Sequence, residues 1–139
     1  MITVLIADDE ALVRDGMRAI LEIESDIDVI GEAQNGEEAV RFTTELQPDV
    51  VLIDIRMPVM DGLEATRRIL SNPTDSKIIV LTTFDRNEYV YEAMKAGASA
   101  FLLQDVRRSQ LTNAIRGVLP ADPFPNCYSF SSAATILSS

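Results

Sequence analysis

Residues 50–70 read VVLIDIRMPVMDGLEATRRIL, and this stretch decides the fold. Residues 50–53 form a short, unbroken apolar run rich in β-branched side chains, which suits a strand buried on both faces. The run stops at Asp54. Pro58 marks a rigid turn, Asp61 stands where a helix needs its N-cap, and Leu63, Thr66 and Leu70 then recur at helical spacing. A strand apolar on both faces that feeds a helix is one unit of a parallel sheet covered on both sides.

The same unit occurs five times. Apolar runs at residues 2–7, 27–30, 50–53, 78–81 and 100–103 alternate with segments of helical periodicity. Val13, Met17, Ile20 and Leu21 share one face, as do Ala39, Phe42 and Leu46. Val90, Ala93, Met94 and Gly97 follow the same rule, and Leu111, Ile115 and Val118 close the series. Asn35-Gly36 opens the second helix, Pro48 lies beyond its end, and Gly97 falls where a left-handed C-cap is needed. Right-handed crossovers then reduce the topologies to an α/β, doubly wound, five-stranded parallel sheet. Five amphipathic helices joined by apolar connectors would be the competing pattern, and the punctuation opposes it.

Composition narrows the chemistry. The 139 residues carry 12 Lys+Arg against 22 Asp+Glu, a formal net charge of −10, with no histidine and a single cysteine, Cys127. So acidic a surface repels phosphate backbones, so direct nucleic-acid binding by this chain is not expected. The lack of His removes Ser-His-Asp and Cys-His catalysis and all histidine metal sites. One cysteine makes neither an intramolecular disulfide nor a thiolate zinc site, which fits the cytoplasm. Residues 1–7 are apolar but lack a basic leader, and no run approaches the roughly 20 apolar residues of a spanning helix.

After about Val118 the character changes. Pro120, Pro123 and Pro125 are followed by Ser129, Ser131, Ser132, Ser138 and Ser139, and Asp122 is the sole charge in that stretch. Residues 1–119 are read as the domain and 120–139 as an appendage without an assigned role.

Ligands of an open parallel sheet bind beyond the carboxyl ends of its strands, where strand order reverses. The residues at those ends are Asp8 and Asp9, Asp54, Thr82 and Thr83, and Gln104 and Asp105. If the first and third strands are neighbours, three carboxylates converge. Like charges at such range raise one another's pKa or call for a cation, and an oxygen-only donor set selects a hard ion such as Mg²⁺. A carboxylate beside Mg²⁺ is also a competent nucleophile toward a phosphoryl group. A helix cap or a solvated loop explains any one of these acids, but not all three together.

These residues resemble a known family. Leu5-Ile6-Ala7-Asp8-Asp9-Glu10, the run 51–62 with its D-x-x-M-P-x-M-D-G pattern, and Val80-Leu81-Thr82-Thr83 look like the receiver domain of bacterial response regulators, over about residues 1–119. Phe84-Asp85 and Phe101-Leu102-Leu103 look most like the subfamily that precedes a LuxR-type helix-turn-helix, a module this chain lacks. The resemblance implies a flavodoxin-like sheet of order 2-1-3-4-5. It also implies a switch of a two-component system that takes a phosphoryl group on Asp54 from a sensor histidine kinase. Asp9, Asp54 and the Arg56 backbone carbonyl match direct Mg²⁺ ligands, and Asp8 matches the acid that holds the metal through water. Thr82 matches the hydroxyl that follows the phosphoryl oxygen, and Phe101 the aromatic whose rotamer follows Thr82. A homodimer is consistent with the family.

One position departs from the pattern. Gln104 stands where the family has a lysine. An ammonium about 4 Å from a phosphoryl oxygen is worth up to ~4 kcal/mol at an effective dielectric of 20, whereas an amide hydrogen bond nets roughly 1 kcal/mol. The substitution raises the alternative of a pseudo-receiver that binds partners without phosphorylation. A Mg²⁺-dependent phosphohydrolase using an aspartyl phosphate is the remote alternative. It would need a second Asp two residues after the nucleophile, where this chain has Arg56. Lys77, Arg67 and Arg68 read as solvated charges, and Phe101 equally well as plain core.

Overall fold

The computed structural model describes residues 1–82, 87–103 and 108–119. Its elements alternate throughout: β1 (Ile2–Ala7), α1 (Ala11–Glu22), β2 (Ile27–Ala33), α2 (Gly36–Leu46), β3 (Val50–Asp54), α3 (Gly62–Leu70), β4 (Lys77–Thr82), α4 (Asn87–Ala96), β5 (Ala100–Leu103) and α5 (Arg108–Gly117). The five strands form one parallel sheet in the order β2-β1-β3-β4-β5.

The core lies in two layers, one on each face of the sheet. Alternate residues of the central strands point to opposite sides. Leu5, Val51, Ile53, Ile78, Val80 and Phe101 pack with Ala39, Leu63, Ala65, Ile69 and Ala93. Val4, Ile6, Leu52, Ile79, Leu81 and Leu102 pack with Leu21, Leu111 and Ile115. The continuous apolar runs of β1, β3 and β4 thus follow from burial on both sides.

β2 differs from the expected two-faced strand. It extends to Ala33, and its burial alternates less cleanly, with Asp28 exposed and Glu32 partly buried. As an edge strand it pairs only with β1, with an irregularity between Val4 and Leu5. On α4, Ala93 is buried as expected, whereas Met94 is 54% exposed and lies off the core. Gly97 lies beyond that helix at φ +96°, the left-handed conformation its position predicted. Arg67 and Arg68 are exposed but paired: both bond Glu64, and Arg67 also reaches Glu92 on α4.

The caps are local and legible. Asn35 Oδ1 accepts from the Glu38 N–H at 2.8 Å, while Glu38 Oε1 accepts from the Gln34 N–H at 2.9 Å. Asp61 Oδ1 accepts from the Glu64 N–H at 2.8 Å. After α2 the chain turns at Gln47, which takes a left-handed conformation and donates its N–H to the Thr43 carbonyl.

Two glycines hold the loop after β3 in place. The Gly62 N–H donates to the Ile55 carbonyl at 2.8 Å, and a Cβ there would stand 2.1 Å from the Asp54 carbonyl oxygen. The Gly36 N–H donates to the Met60 carbonyl at 2.9 Å, and a Cβ there would lie 2.2 Å from that oxygen. Between them the Met60 N–H donates to the Pro58 carbonyl at 2.7 Å, with Val59 at φ +71°. This is a tight three-residue turn in the strained sense, unusual for a β-branched residue.

Gly62→Ala should therefore lower the unfolding free energy by about 2–3 kcal/mol, since rigid backbone must move to admit the methyl group. Val59→Gly, which relieves the turn, should raise it by up to about 1 kcal/mol. Urea titrations of the two variants check both signs.

Candidate functional site

The site is built by strand pairing. β1 lies between β2 and β3, with Ala7 opposite Ile53, so the residues after Ala7 emerge beside the end of β3. Asp54 closes β3 opposite Leu81, and the Ile55 N–H donates to the Leu81 carbonyl at 3.2 Å, which brings Thr82 to the same edge.

Asp8, Asp9 and Asp54 each direct a carboxylate oxygen into a cluster in which these atoms lie within 4.8 Å of one another. Their surroundings differ. Asp8 is 2% exposed, Asp54 is half-buried, and Asp9 faces solvent. The backbone holds Asp8 tightly: its N–H donates to the Ala33 carbonyl at 3.0 Å, and its Oδ1 accepts from the Glu10 N–H at 2.9 Å. An open depression of about 520 Å³ lies beside the cluster, lined by Asp9, Ile55, Arg56, Met57, Pro58, Asp61 and Leu63.

Asp54 is the electrostatically stressed member. Burial raises its pKa most, the Asp8 charge adds to this, and Asp9 contributes less. Hydrogen bonds from the Ile55 and Arg56 backbone pull the other way, and the pKa settles at about 7. Three acids packed so closely raise one another's pKa or favour a cation among them.

Of the residues singled out from the sequence, Asp8, Asp9 and Asp54 converge, and exposed Arg56 stands on the rim of the depression with Asp9. Thr82 is 2% exposed at the end of β4. Phe101 is fully buried, paired in register with Val80 and packed in the core layer beneath α2, α3 and α4. Thr83, Phe84, Asp85, Gln104 and Asp105 lie outside the described residues.

Sequence reasoning missed the cation behind the cluster. Arg14, on α1, is buried; its Nη1 donates to the Asp8 carbonyl at 2.6 Å and its Nε to Glu32 Oε1 at 3.0 Å. Arg18 Nε donates to the other Glu32 oxygen at 2.8 Å. The available signal was an arginine near the start of a helix, where the helix dipole disfavours positive charge.

Residues 4–116 match the response regulator receiver domain family, and the chain belongs to it. It is a receiver domain of the two-component kind. It is 46% identical over 123 residues to the transcriptional regulatory protein LiaR of Bacillus subtilis, covering 88% of this chain and 58% of that protein. The transcriptional regulatory protein DesR of the same organism is 41% identical over 119 residues, with 86% and 59% covered. The chain thus spans less than two thirds of the length of these relatives. Among solved structures, a LuxR-family DNA-binding response regulator from Staphylococcus aureus superposes with a TM-score of 0.81 at 30% identity, covering 85% of this chain and 98% of that one. The receiver domain of NarL from Mycobacterium tuberculosis gives 0.78 at 31% identity, covering 84% and 97%. Among the described residues no helix is long and apolar enough to cross a membrane.

A carboxyl whose pKa rises on folding leaves the native state holding more protons than the unfolded chain between the two pKa values. In metal-free buffer, stability should therefore fall as pH rises from about 4 to about 7 and level off above that. Solvent on one side of the half-buried carboxyl screens the repulsion, so Asp54→Asn should stabilise the metal-free protein at pH 8 by about 1–2 kcal/mol. At pH 4 it should change little. Thermal unfolding of both proteins at the two pH values checks this.

Proposed function

We propose that Asp54 accepts a phosphoryl group from the phosphohistidine of a sensor histidine kinase, and that the added charge switches the domain. The carboxylate cluster beside an open depression carries this reading: a nucleophile, acidic neighbours and access for a donor coincide only there among the described residues. An Asp54 carboxylate oxygen bonds to phosphorus as the phosphorus–nitrogen bond of the donor breaks. The bonding pair leaves with the imidazole nitrogen, which takes up a proton.

The donor set fits Mg²⁺, being all oxygen, acidic and arranged around one point. Asp8, Asp9, Asp54 and the Arg56 carbonyl are the residues that would hold it, and its charge would offset that of the phosphoryl oxygens. Asp54 with a pKa of about 7 is partly protonated at neutral pH, so a cation beside it also favours the ionised, nucleophilic form. Thr82, at the end of the neighbouring strand, is the hydroxyl we assign to a phosphoryl oxygen, and buried Phe101 the aromatic that repacks with it.

In this reading residues 1–119 are the switch and 120–139 an appendage. The full-length protein in this reading is a cytoplasmic regulator that acts on transcription through a DNA-binding domain, and a homodimer is consistent with that role. The domain is a substrate of its kinase, with catalysis limited to its own phosphoryl uptake and loss.

Incubation with acetyl phosphate and Mg²⁺ should add one phosphoryl mass. Asp54→Asn should abolish the adduct, Asp9→Asn should reduce it several-fold, and EDTA should prevent it. An adduct at full yield in Asp54→Asn overturns the assignment.

Gln104 stands at the sequence position of the family's lysine and carries no charge, so response should suffer more than uptake. A ligand shifts a two-state equilibrium only by its differential affinity for the two states. Losing about 2–3 kcal/mol of that difference moves an even balance to between roughly one in thirty and one in a hundred and fifty. Gln104→Lys should accordingly enlarge the phosphorylation-dependent change in amide shifts around Thr82 and Phe101 with uptake unchanged. A full response in the native chain, with no gain from Gln104→Lys, makes the amide an adequate substitute.

A further inference from the structure

Arg14 is an unusual residue for its place. It sits near the N-terminus of α1, a helix with no acidic residue in its first turn and no side-chain cap, and its side chain is only 11% exposed. A buried cation against the positive end of a helix is doubly disfavoured, so strong partners must hold it there. It has them. Glu32 accepts from it at 3.0 Å and from Arg18 at 2.8 Å, which anchors the carboxylate on β2 between two guanidinium groups. The opposite end of the Arg14 fork then reaches the Asp8 carbonyl at 2.6 Å.

That carbonyl belongs to the peptide joining Asp8 to Asp9. Fixing the plane of this peptide fixes the dihedral angles on either side of it, and with them the direction in which the Asp9 side chain leaves the backbone. Asp8 is held through its N–H by the Ala33 carbonyl and through its carboxylate by the Glu10 N–H. Arg14 supplies the hold on the remaining backbone group.

We propose that Arg14 is a positioning residue for the cation site: anchored by Glu32, its guanidinium sets the Asp8–Asp9 peptide so that both carboxylates that follow β1 face Asp54. This rests on the reading of the cluster as a cation site, and it concerns geometry, since Arg14 bonds the Asp8 main-chain carbonyl and Glu32. A neutral side chain of similar length would fill the space and lose the grip. Lysine would keep the charge but lack the planar fork that spans Glu32 and the carbonyl together.

The test compares Arg14→Met, Arg14→Lys and Glu32→Gln with Arg116→Met. Arg116 is a comparably paired arginine, bonded to Glu24 at 2.6 Å and to Asp26 at 2.9 Å and remote from the cluster, so it controls for loss of stability alone. Two readouts are taken: the Mg²⁺ dissociation constant by calorimetry, and the backbone amide shifts and hydrogen exchange of Asp8, Asp9 and Glu10 in metal-free protein. Arg14→Met should weaken Mg²⁺ binding about tenfold to a hundredfold, the usual effect of losing a residue that orients a ligand. It should also move the Asp9 amide and speed its exchange. Arg14→Lys and Glu32→Gln should fall between it and the native protein, while Arg116→Met stays within twofold. If Arg14→Met does not fold, Glu32→Gln and Arg14→Lys carry the same comparison. Mg²⁺ affinity within twofold of native, with an unmoved Asp9 amide, overturns the proposal. Native protein that binds no Mg²⁺, with the metal-free amides still responding to Arg14, overturns the cation reading and leaves the positioning role standing.

Discussion

The pairing of β1 with β3 is the constraint on which everything else hangs. β2 lies on one side of β1, so the chain must cross over β1 to place β3 on the other, and strand order reverses at that point. Ala7 opposite Ile53 then delivers Asp8 and Asp9 to the end of the strand that carries Asp54. The apolar side chains of β1 and β3 are buried on both faces, so a slip in register would mispack both core layers and carry the strand-end acids away from one another. Hydrophobic packing thus holds three like charges together that would otherwise separate, and the stress appears in the raised pKa of Asp54.

A second layer of constraint fixes where the loops run. Gly62 lets the start of α3 lie against the Asp54 carbonyl, and Gly36 lets the start of α2 lie against Met60. Both helices are therefore referenced to the segment that follows the central acid. Arg14 and Glu32 do the same from the opposite side, tying α1 and β2 to the Asp8 carbonyl. Four elements that contribute no carboxylate to the cluster are each fastened within a residue or two of it or of the loop beside it.

Much of this was legible in the sequence for physical reasons. Burial on both faces writes itself as unbroken apolar runs, so β1, β3 and β4 were plain, and caps such as Asn35 and Asp61 are read from short-range chemistry. The acids stood out because a strand end is where a ligand binds. What stayed hidden depends on contacts between residues distant in sequence. The partner of Arg14 is 18 residues away on an edge strand, and nothing local announces that a polar Glu32 belongs to a strand at all. The strain at Val59 was equally invisible, because the residue type argues against the conformation it adopts. Met94 fitted the helical period, yet it is 54% exposed while Ala93 and Ala96 of the same helix are buried.

The irregular character of β2 has a consequence of its own. An open sheet ends in two rows of unpaired backbone groups that can recruit strands from other molecules. The sheet's outer strands are β2 and β5. β5 spans four residues, too few to template much growth. β2 is longer, at seven residues, but it carries exposed Asp28, Gly31 and the ion-paired Glu32, and it meets β1 with a shifted register. The polar interruptions that made this strand hard to read are those that make it a poor surface for edge-to-edge aggregation. In a chain of net charge −10 they add repulsion where two sheets would join.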